Sequence, residues 1–303
     1  MTSRGTAGIA ALLGALAACP YILVPSGPGW TILAYLSQLP LFAAGLWLGA
    51  GASILSGLAG VVILIATGGL LTAVVFGVVD AVPVVLLVRQ ALLARPSNGG
   101  AVEWYPPGLL TAWLTCLGLT TLAVTSVLVG GPAALQAGLQ EALAPVFDRR
   151  LDSLPDHNAA LAAIAFVLPG ILGASWMMMT VTNGSLAQGV LARFGANWRP
   201  SPDLAALGLP PWIPVLLALA AGASLFSGTA RFVGINVMIV LALPFCLAGL
   251  AVLHMFARRF SRPAVVLITF YVLAGVLGWP LLLIALLGVA ESSLGLRRRF
   301  AQP

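Results

Sequence analysis

The chain contains no lysine. A Walker A loop needs a lysine on the nucleotide phosphates and Schiff-base chemistry needs its amine, so neither is available. Charge of either sign is scarce. There are 14 arginines and eight acidic residues in 303, or 7% of the chain, against ~25% in an ordinary soluble domain. So few charges could not cover a soluble surface of this size. Only two histidines occur, His157 and His254, and no H-E-x-x-H pair exists, which leaves no metal-hydrolase motif. The three cysteines, Cys19, Cys116 and Cys246, sit singly in apolar runs and read as small core hydrophobes. Leu16-Ala17-Ala18-Cys19 has the form of a lipobox, but Pro20 and the continuing apolar run argue against processing there. There is no G-x-S-x-G elbow. No second deep carboxylate is present to share a proton with the one described below. The reading is therefore of a chain that is not an enzyme and carries no cofactor and no metal.

Apolar length is what the chain has in abundance. Hydrophobic residues make up 60% of it, and a membrane span needs roughly 20 consecutive ones. The fold class expected is all-α, a polytopic helical membrane protein of about eight to ten segments with no sizeable soluble domain. The first run covers about 7–24. A nearly continuous apolar stretch over 31–94 follows, long enough for three helices, with turns expected near Gly49–Gly51 and Gly68-Gly69. A polar loop at 95–107 carries Arg95, Asn98 and Glu103, and a fifth span is read at about 108–130. In 131–158, Leu135, Leu139, Leu143, Val146 and Phe147 recur at helical spacing among acidic residues, which reads as an amphipathic helix lying on the membrane. Spans follow at about 159–190, 212–228 and 232–257. The last run, 264–295, reads as a hairpin broken at Gly278-Trp279-Pro280. By residue, 1–303 reads as one integral membrane domain: helices at 7–130, an amphipathic external loop at 131–158 and C-terminal membrane helices at 159–303.

All the basic residues are arginine, and they fall beside spans rather than in one patch. Scattered arginines argue against a nucleic-acid partner, and their parity gives an orientation. With Arg4 and the N-terminus in the cytoplasm, Arg89/Arg95, Arg193/Arg199 and Arg258/Arg259/Arg262 fall inside, and a C-terminal hairpin returns Arg297–Arg299 inside as well. Arginine-rich, lysine-free composition with abundant Ala, Gly and Pro also fits a GC-rich bacterial genome, so the expected location is the bacterial inner membrane.

Asp80 is the principal candidate for function. It lies ~15 Å into the fourth span at 1.5 Å per residue. A carboxylate at that depth costs several kcal/mol unless it is paired, wetted or protonated. It reads either as a proton, cation or solute site, or as a neutral carboxyl hydrogen-bonded between helices. Asn183 and Gln188 near the end of the sixth span, and Asn236 in the eighth, are further candidates for substrate binding or ion coupling. Arg193, Trp198 and Arg199 in the proline-rich loop after the sixth span could contact a partner or lipid head groups; the alternative is a stiff interfacial connector. Ala10, Gly14 and Ala18 place small residues every four positions on the first helix, which suits either docking of a partner subunit or internal packing. Gly45, Gly49, Ser53 and Gly57 form a second such ladder.

The run Asn183-Gly184…Gln188…Arg193…Gly195…Arg199-Pro200…Pro202, then Leu209-Pro210…Trp212, Gly234…Asn236 and Leu287-Gly288…Glu291…Arg297, resembles the YybS-like family of bacterial multi-pass membrane proteins. The N-terminal part is similar to the S components of energy-coupling-factor vitamin transporters. That likeness rests on the small-residue spacing of helix one, Pro25…Pro28, Gln38-Leu39-Pro40…Gly45…Gly49…Gly57 and a fourth helix ending at Arg89. It implies a small-solute-binding subunit that docks on an ATP-driven coupling module through helix one. The competing expectations are a membrane scaffold or assembly factor without a solute site, and an ion-coupled secondary transporter using Asp80. In every case the lipid bilayer is a partner.

Overall fold

Several helices of this chain start on proline or stop on glycine. The computed structural model describes residues 3–24, 27, 31–96, 102–151 and 157–300. Pro25, Pro28 and Asn98, named above, lie outside them. In chain order the helices are α1 (Ser3–Leu23), α2 (Thr31–Ala34), α3 (Gln38–Leu48), α4 (Ala50–Phe76), a π-helical turn at Gly77–Ala81, α5 (Val82–Ala91), α6 (Pro107–Leu128), α7 (Pro132–Leu151), α8 (His157–Arg193), α9 (Trp212–Ser224), α10 (Thr229–Ala257), α11 (Pro263–Leu277), α12 (Pro280–Leu294) and α13 (Leu296–Phe300). Helices α6, α7, α11 and α12 begin on proline, whose fixed φ suits the first helical position and whose missing N–H costs nothing there.

The expected breaks fall on glycine. Gly69 interrupts α4 at φ +82°, a backbone conformation costly for any residue with a Cβ. Gly278 closes α11 at φ +71°, and α12 is bent from α11 by 119°, so the break expected at Gly278-Trp279-Pro280 is present. Gly49 separates α3 from α4.

Counted with both arms of the Ala50–Ala91 stretch on either side of Gly69, the apolar segments are α1, α3, the two arms, α6, α8, α9, α10, α11 and α12, each where the sequence placed one. Among the described residues, five stretches are long and apolar enough to cross a membrane, namely Gly5–Leu23, Ala50–Ala91, Pro107–Leu128, Asn158–Arg193 and Thr229–Ala257. The α11–α12 pair makes a sixth if it is one broken span. The chain is an all-α, multi-pass membrane protein. The loop after α5 contains a short antiparallel ribbon, β1 (Ala94–Pro96) against β2 (Val102–Trp104).

The chain divides into two compact units that interleave in sequence: residues 1–110 with 178–203, and residues 111–177 with 204–303. Helix α8 supplies its first part to the second unit and its last part to the first. In the first unit α1 lies against α4 so closely that a Cβ at Gly14 would strike the Ser56 carbonyl and Ala59. Ala10, Ala17 and Ala18 are fully buried. The small-residue face of helix one is thus occupied by α4 of the same chain. Of the two expectations for Ala10, Gly14 and Ala18, docking of a partner or internal packing, the structure shows packing within the chain.

In the second unit α10 and α12 meet at two glycines. A Cβ at Gly249 would strike the Ile284 carbonyl, and one at Gly288 the Phe245 carbonyl. Around this crossing Ala112, Ile213, Leu241, Phe245, Cys246 and Ala285 form a buried cluster. Helix α7 turns Leu135 and Phe147 inward with Leu139 and Leu143 half-buried between them, while Val146 is exposed.

Candidate functional site

The site in the first unit begins with a local defect. Residues Gly77–Ala81 form a π-helical turn, a feature that widens a helix and concentrates at functional sites. Position 83 is proline and offers no N–H, and the Val79 carbonyl accepts from Gln38 Nε2 (3.3 Å). The same Nε2 donates to Asp80 Oδ1 at 3.0 Å. From α1, the Tyr21 hydroxyl donates to Asp80 Oδ2 at 2.6 Å, with its ring edge-on to Phe76 at 5.5 Å between centroids. Asp80 itself is 1% exposed. Both carboxylate oxygens therefore accept from neutral donors, the hydrogen-bonding pattern of an acceptor-only group. No ion-pair partner for Asp80 is found among the described residues.

Partnerless oxygens surround the turn at residues 35–38, which joins α2 to α3 beside this carboxylate. Gln38 Oε1, Ser37 Oγ and Asn183 Oδ1 are buried and have no hydrogen-bond partner among the described residues. Asn183, on α8, is tied to the same turn, since its Nδ2 donates to the Tyr35 carbonyl at 2.6 Å and to Met179 O at 2.8 Å. The Ser37 hydroxyl lies close to Asp80 without reaching hydrogen-bond geometry. Buried polar atoms are nearly always satisfied, so three unsatisfied ones about a single turn set this place apart. Ser56 Oγ, on α4, is a fourth such atom.

The remaining sequence candidates are engaged in holding the chain together. Gln188 Nε2 donates to the Arg199 carbonyl at 2.7 Å, as does Asn197 Nδ2 at 2.5 Å. Arg199 is buried, and its guanidinium donates to Ala91 O at 3.0 Å and Tyr105 O at 2.7 Å. It thereby caps the end of α5 and ties it to the segment that leads into α6. Burial lowers its pKa from the ordinary arginine value, and a guanidinium stays protonated regardless. The Trp198 backbone N–H donates to Leu46 O at 3.3 Å, and its ring lies over Gly49 while the residue remains 62% exposed. Arg193 and Phe194 are exposed. Of the three residues read as partner contacts, then, Arg193 and Trp198 present surface and Arg199 faces inward.

In the second unit Asn236 acts on a broken helix. Pro169 lies inside α8 and removes one backbone donor. One residue on, Gly170 N–H donates to Asn236 Oδ1 at 2.6 Å. Asn236 Nδ2 donates to Phe166 O at 2.9 Å and Phe232 O at 2.8 Å. The amide spans the backbone groups of residues 166 and 170, which an unbroken helix would join directly. Both of its donors and its acceptor are used, and it is fully buried, so no polar group is left for a solute.

Sequence reasoning passed over Tyr21 and Ser37, and met Gln38 only within a family likeness. The available signal was a tyrosine and an amide inside apolar runs, whose polar ends must find partners once buried. It met Glu291 only within a family likeness, and Arg297 there and among the topological arginines, but not as a pair. Glu291 Oε1 receives Arg297 Nε at 2.8 Å and Oε2 receives its backbone N–H at 2.9 Å. The guanidinium also donates to Ala205 O at 2.5 Å and Leu207 O at 2.6 Å. His254, on α10, bonds the carbonyl four residues back (2.9 Å) and tilts against Tyr271.

The family model described as "Predicted membrane protein (DUF2232)" matches residues 156–292. This chain is similar over that stretch to an uncharacterised membrane-protein family. The match takes in Asn183, Gln188, Arg199 and Asn236; Tyr21, Gln38 and Asp80 lie before it. No curated protein and no solved structure matches the chain.

Proposed function

We propose that this is a transport-related membrane protein that binds a small solute in its first unit, about the 35–38 turn, and depends on a partner for energy. One observation carries the reading. A buried carboxylate in a π-helical turn is bonded to Gln38, and three partnerless buried oxygens belong to the 35–38 turn or to Asn183, which is tied to it; irregular backbone at membrane depth belongs where it lines a binding site. The resemblance of the N-terminal part to energy-coupling-factor S components favours it. The arginine distribution supports a bacterial inner-membrane location with the N-terminus cytoplasmic. With helix one covered by α4, the surface offered to a partner is the exposed Arg193, Phe194 and Trp198.

Protein purified from native membranes in mild detergent is to be extracted and its small-molecule content identified by mass spectrometry. Wild type should carry an enriched solute that Asp80→Asn loses, and tagged wild type should recover ATPase or coupling subunits. A wild type that carries nothing beyond the Asp80→Asn protein sinks the solute reading; repeated recovery of no partner sinks the energy-coupling part. The pinning of the 194–199 loop by Gln188 and Arg199 favours a second reading, a membrane scaffold that presents this loop. That reading expects Asp80→Asn to be silent and Trp198→Ala to abolish partner recovery.

A further inference from the structure

We propose that the oxygens about the 35–38 turn, together with the Asp80 carboxylate, form a site for one monovalent cation of the sodium type. The inference rests on the reading of this cluster as a binding site and names what it takes.

The atoms offered are all oxygens. Gln38 Oε1, Ser37 Oγ and Asn183 Oδ1 are buried without partners, and Asp80 Oδ1 and Oδ2 each accept a single hydrogen bond. Carboxylate, amide and hydroxyl oxygens are the ligands of hard cations. Among the described residues no group of three His, Cys, Asp or Glu residues could hold a metal ion, which disfavours a transition metal.

Charge narrows the choice further. Asp80 is the only formally charged member of the cluster, so a monovalent cation neutralises the site. A divalent ion would leave an uncompensated positive charge in a medium of low dielectric. A proton would also neutralise Asp80, but its single O–H donor could satisfy at most one of the three unpaired oxygens. The hydrogen bonds point the same way. Tyr21 and Gln38 both donate to the Asp80 carboxyl oxygens, and an ionised carboxylate at membrane depth would call for a counter-charge. The two amides reach the site from opposite ends of the sequence. Gln38 is fixed by Val79 and Asp80, and Asn183 by Tyr35 and Met179. In each case the –NH2 group anchors the side chain and the oxygen is left without a partner.

The test uses the purified full-length chain in detergent, with NaCl exchanged for choline chloride at constant ionic strength and pH. The melting temperature of wild type should rise saturably with Na+, and 22Na+ should bind in a scintillation proximity assay. Removing the one charged ligand in Asp80→Asn should weaken half-saturation by about tenfold or more, since affinity for hard cations follows the ligand charge count. Asn183→Ala and Ser37→Ala, each losing a neutral ligand, should weaken it by about three- to tenfold. Glu103→Gln, on the exposed ribbon, should keep the full response. A wild-type melting temperature independent of Na+, or half-saturation unchanged in Asn183→Ala and Ser37→Ala, overturns the proposal even if Asp80→Asn does not fold. A melting temperature that follows pH but not Na+ assigns the site to a proton and overturns it too. The extraction experiment fails separately: a solute carried by wild type without any Na+ response preserves the solute reading and removes the cation, and the reverse outcome preserves the cation alone.

Discussion

Asn236 shows how much a single side chain can decide in a chain with few polar groups. Replacing it with leucine removes the bonds to Gly170 N–H, Phe166 O and Phe232 O at once. An unsatisfied buried group costs about 1–3 kcal/mol, although hydrogen bonds inside membrane bundles measure closer to ~0.6 kcal/mol because the unfolded reference finds other partners. The Pro169 break has few alternatives to offer, so Asn236→Leu should lower the detergent melting temperature by several degrees. A melt superimposable on wild type would show that the amide is not needed. Glu103 marks the opposite extreme. Arg95, 2.9 Å away and exposed like its partner, holds the Glu103 carboxyl below its ordinary range and is itself raised. A depressed carboxyl contributes stability above its unfolded value and loses it as pH falls through the folded one. Solvent screens this pair, so Glu103→Gln should leave the melting temperature unchanged at neutral pH, which a thermal scan checks directly. The need of a buried Asp80 for partners was legible in sequence; the identity of Tyr21 and Gln38 as those partners was not. They stand 59 and 42 residues away, and no local pattern links them.

Between elements, backbone approach and end-pinning set the packing. Gly249 and Gly288 let α10 and α12 close until a Cβ on either would strike a carbonyl of the other helix. Gly288→Val should therefore destabilise the second unit strongly, at the upper end of the ~1–3 kcal/mol typical of overpacking. Gly275→Ala, with nothing within 4 Å of the added carbon, should be neutral; equal melting temperatures for the two variants would refute the close crossing. The end of α12 is held differently, by Arg297 between Glu291 and the Ala205 and Leu207 carbonyls. Arg297→Lys keeps the charge but not the planar fork that serves three acceptors. It should speed limited proteolysis between residues 200 and 211, whereas Arg298→Lys, on an exposed side chain, should not. Helix ends were readable beforehand because proline and glycine act through their own backbone. The Gly249–Gly288 contact was not, since small residues are common throughout this chain and their spacing alone does not select the pair that meets.

For the molecule as a whole, the arginines make the testable statement. Reporter fusions at residues 100, 200 and 303 should report the cytoplasm and one at 145 the opposite side. An external signal at 303 would refute the return of the α11–α12 hairpin. Positive charge at the chain's loops serves two purposes that composition cannot separate. Arg193 is exposed, as a topological charge should be, while Arg199 and Arg297 are turned inward to collect backbone carbonyls. The two compact units likewise do not follow the order of the chain, because α8 contributes to both.

The sequence by itself determined the class, the positions of the apolar segments, the breaks at Gly69 and Gly278, and the anomaly of Asp80. These follow from the length of apolar runs, from backbone restrictions local to glycine and proline, and from the cost of a charge in hydrocarbon. Only the tertiary structure decided that Asp80 meets Tyr21 and Gln38, that Asn183 joins the same turn, and that Asn236 and Arg199 are structural. In water, a stripe of apolar residues tells the inner face of a helix from the outer. Lipid is as apolar as a protein core, so that stripe is missing here, and the faces that meet are chosen by shape and by a few hydrogen bonds between residues far apart in the chain.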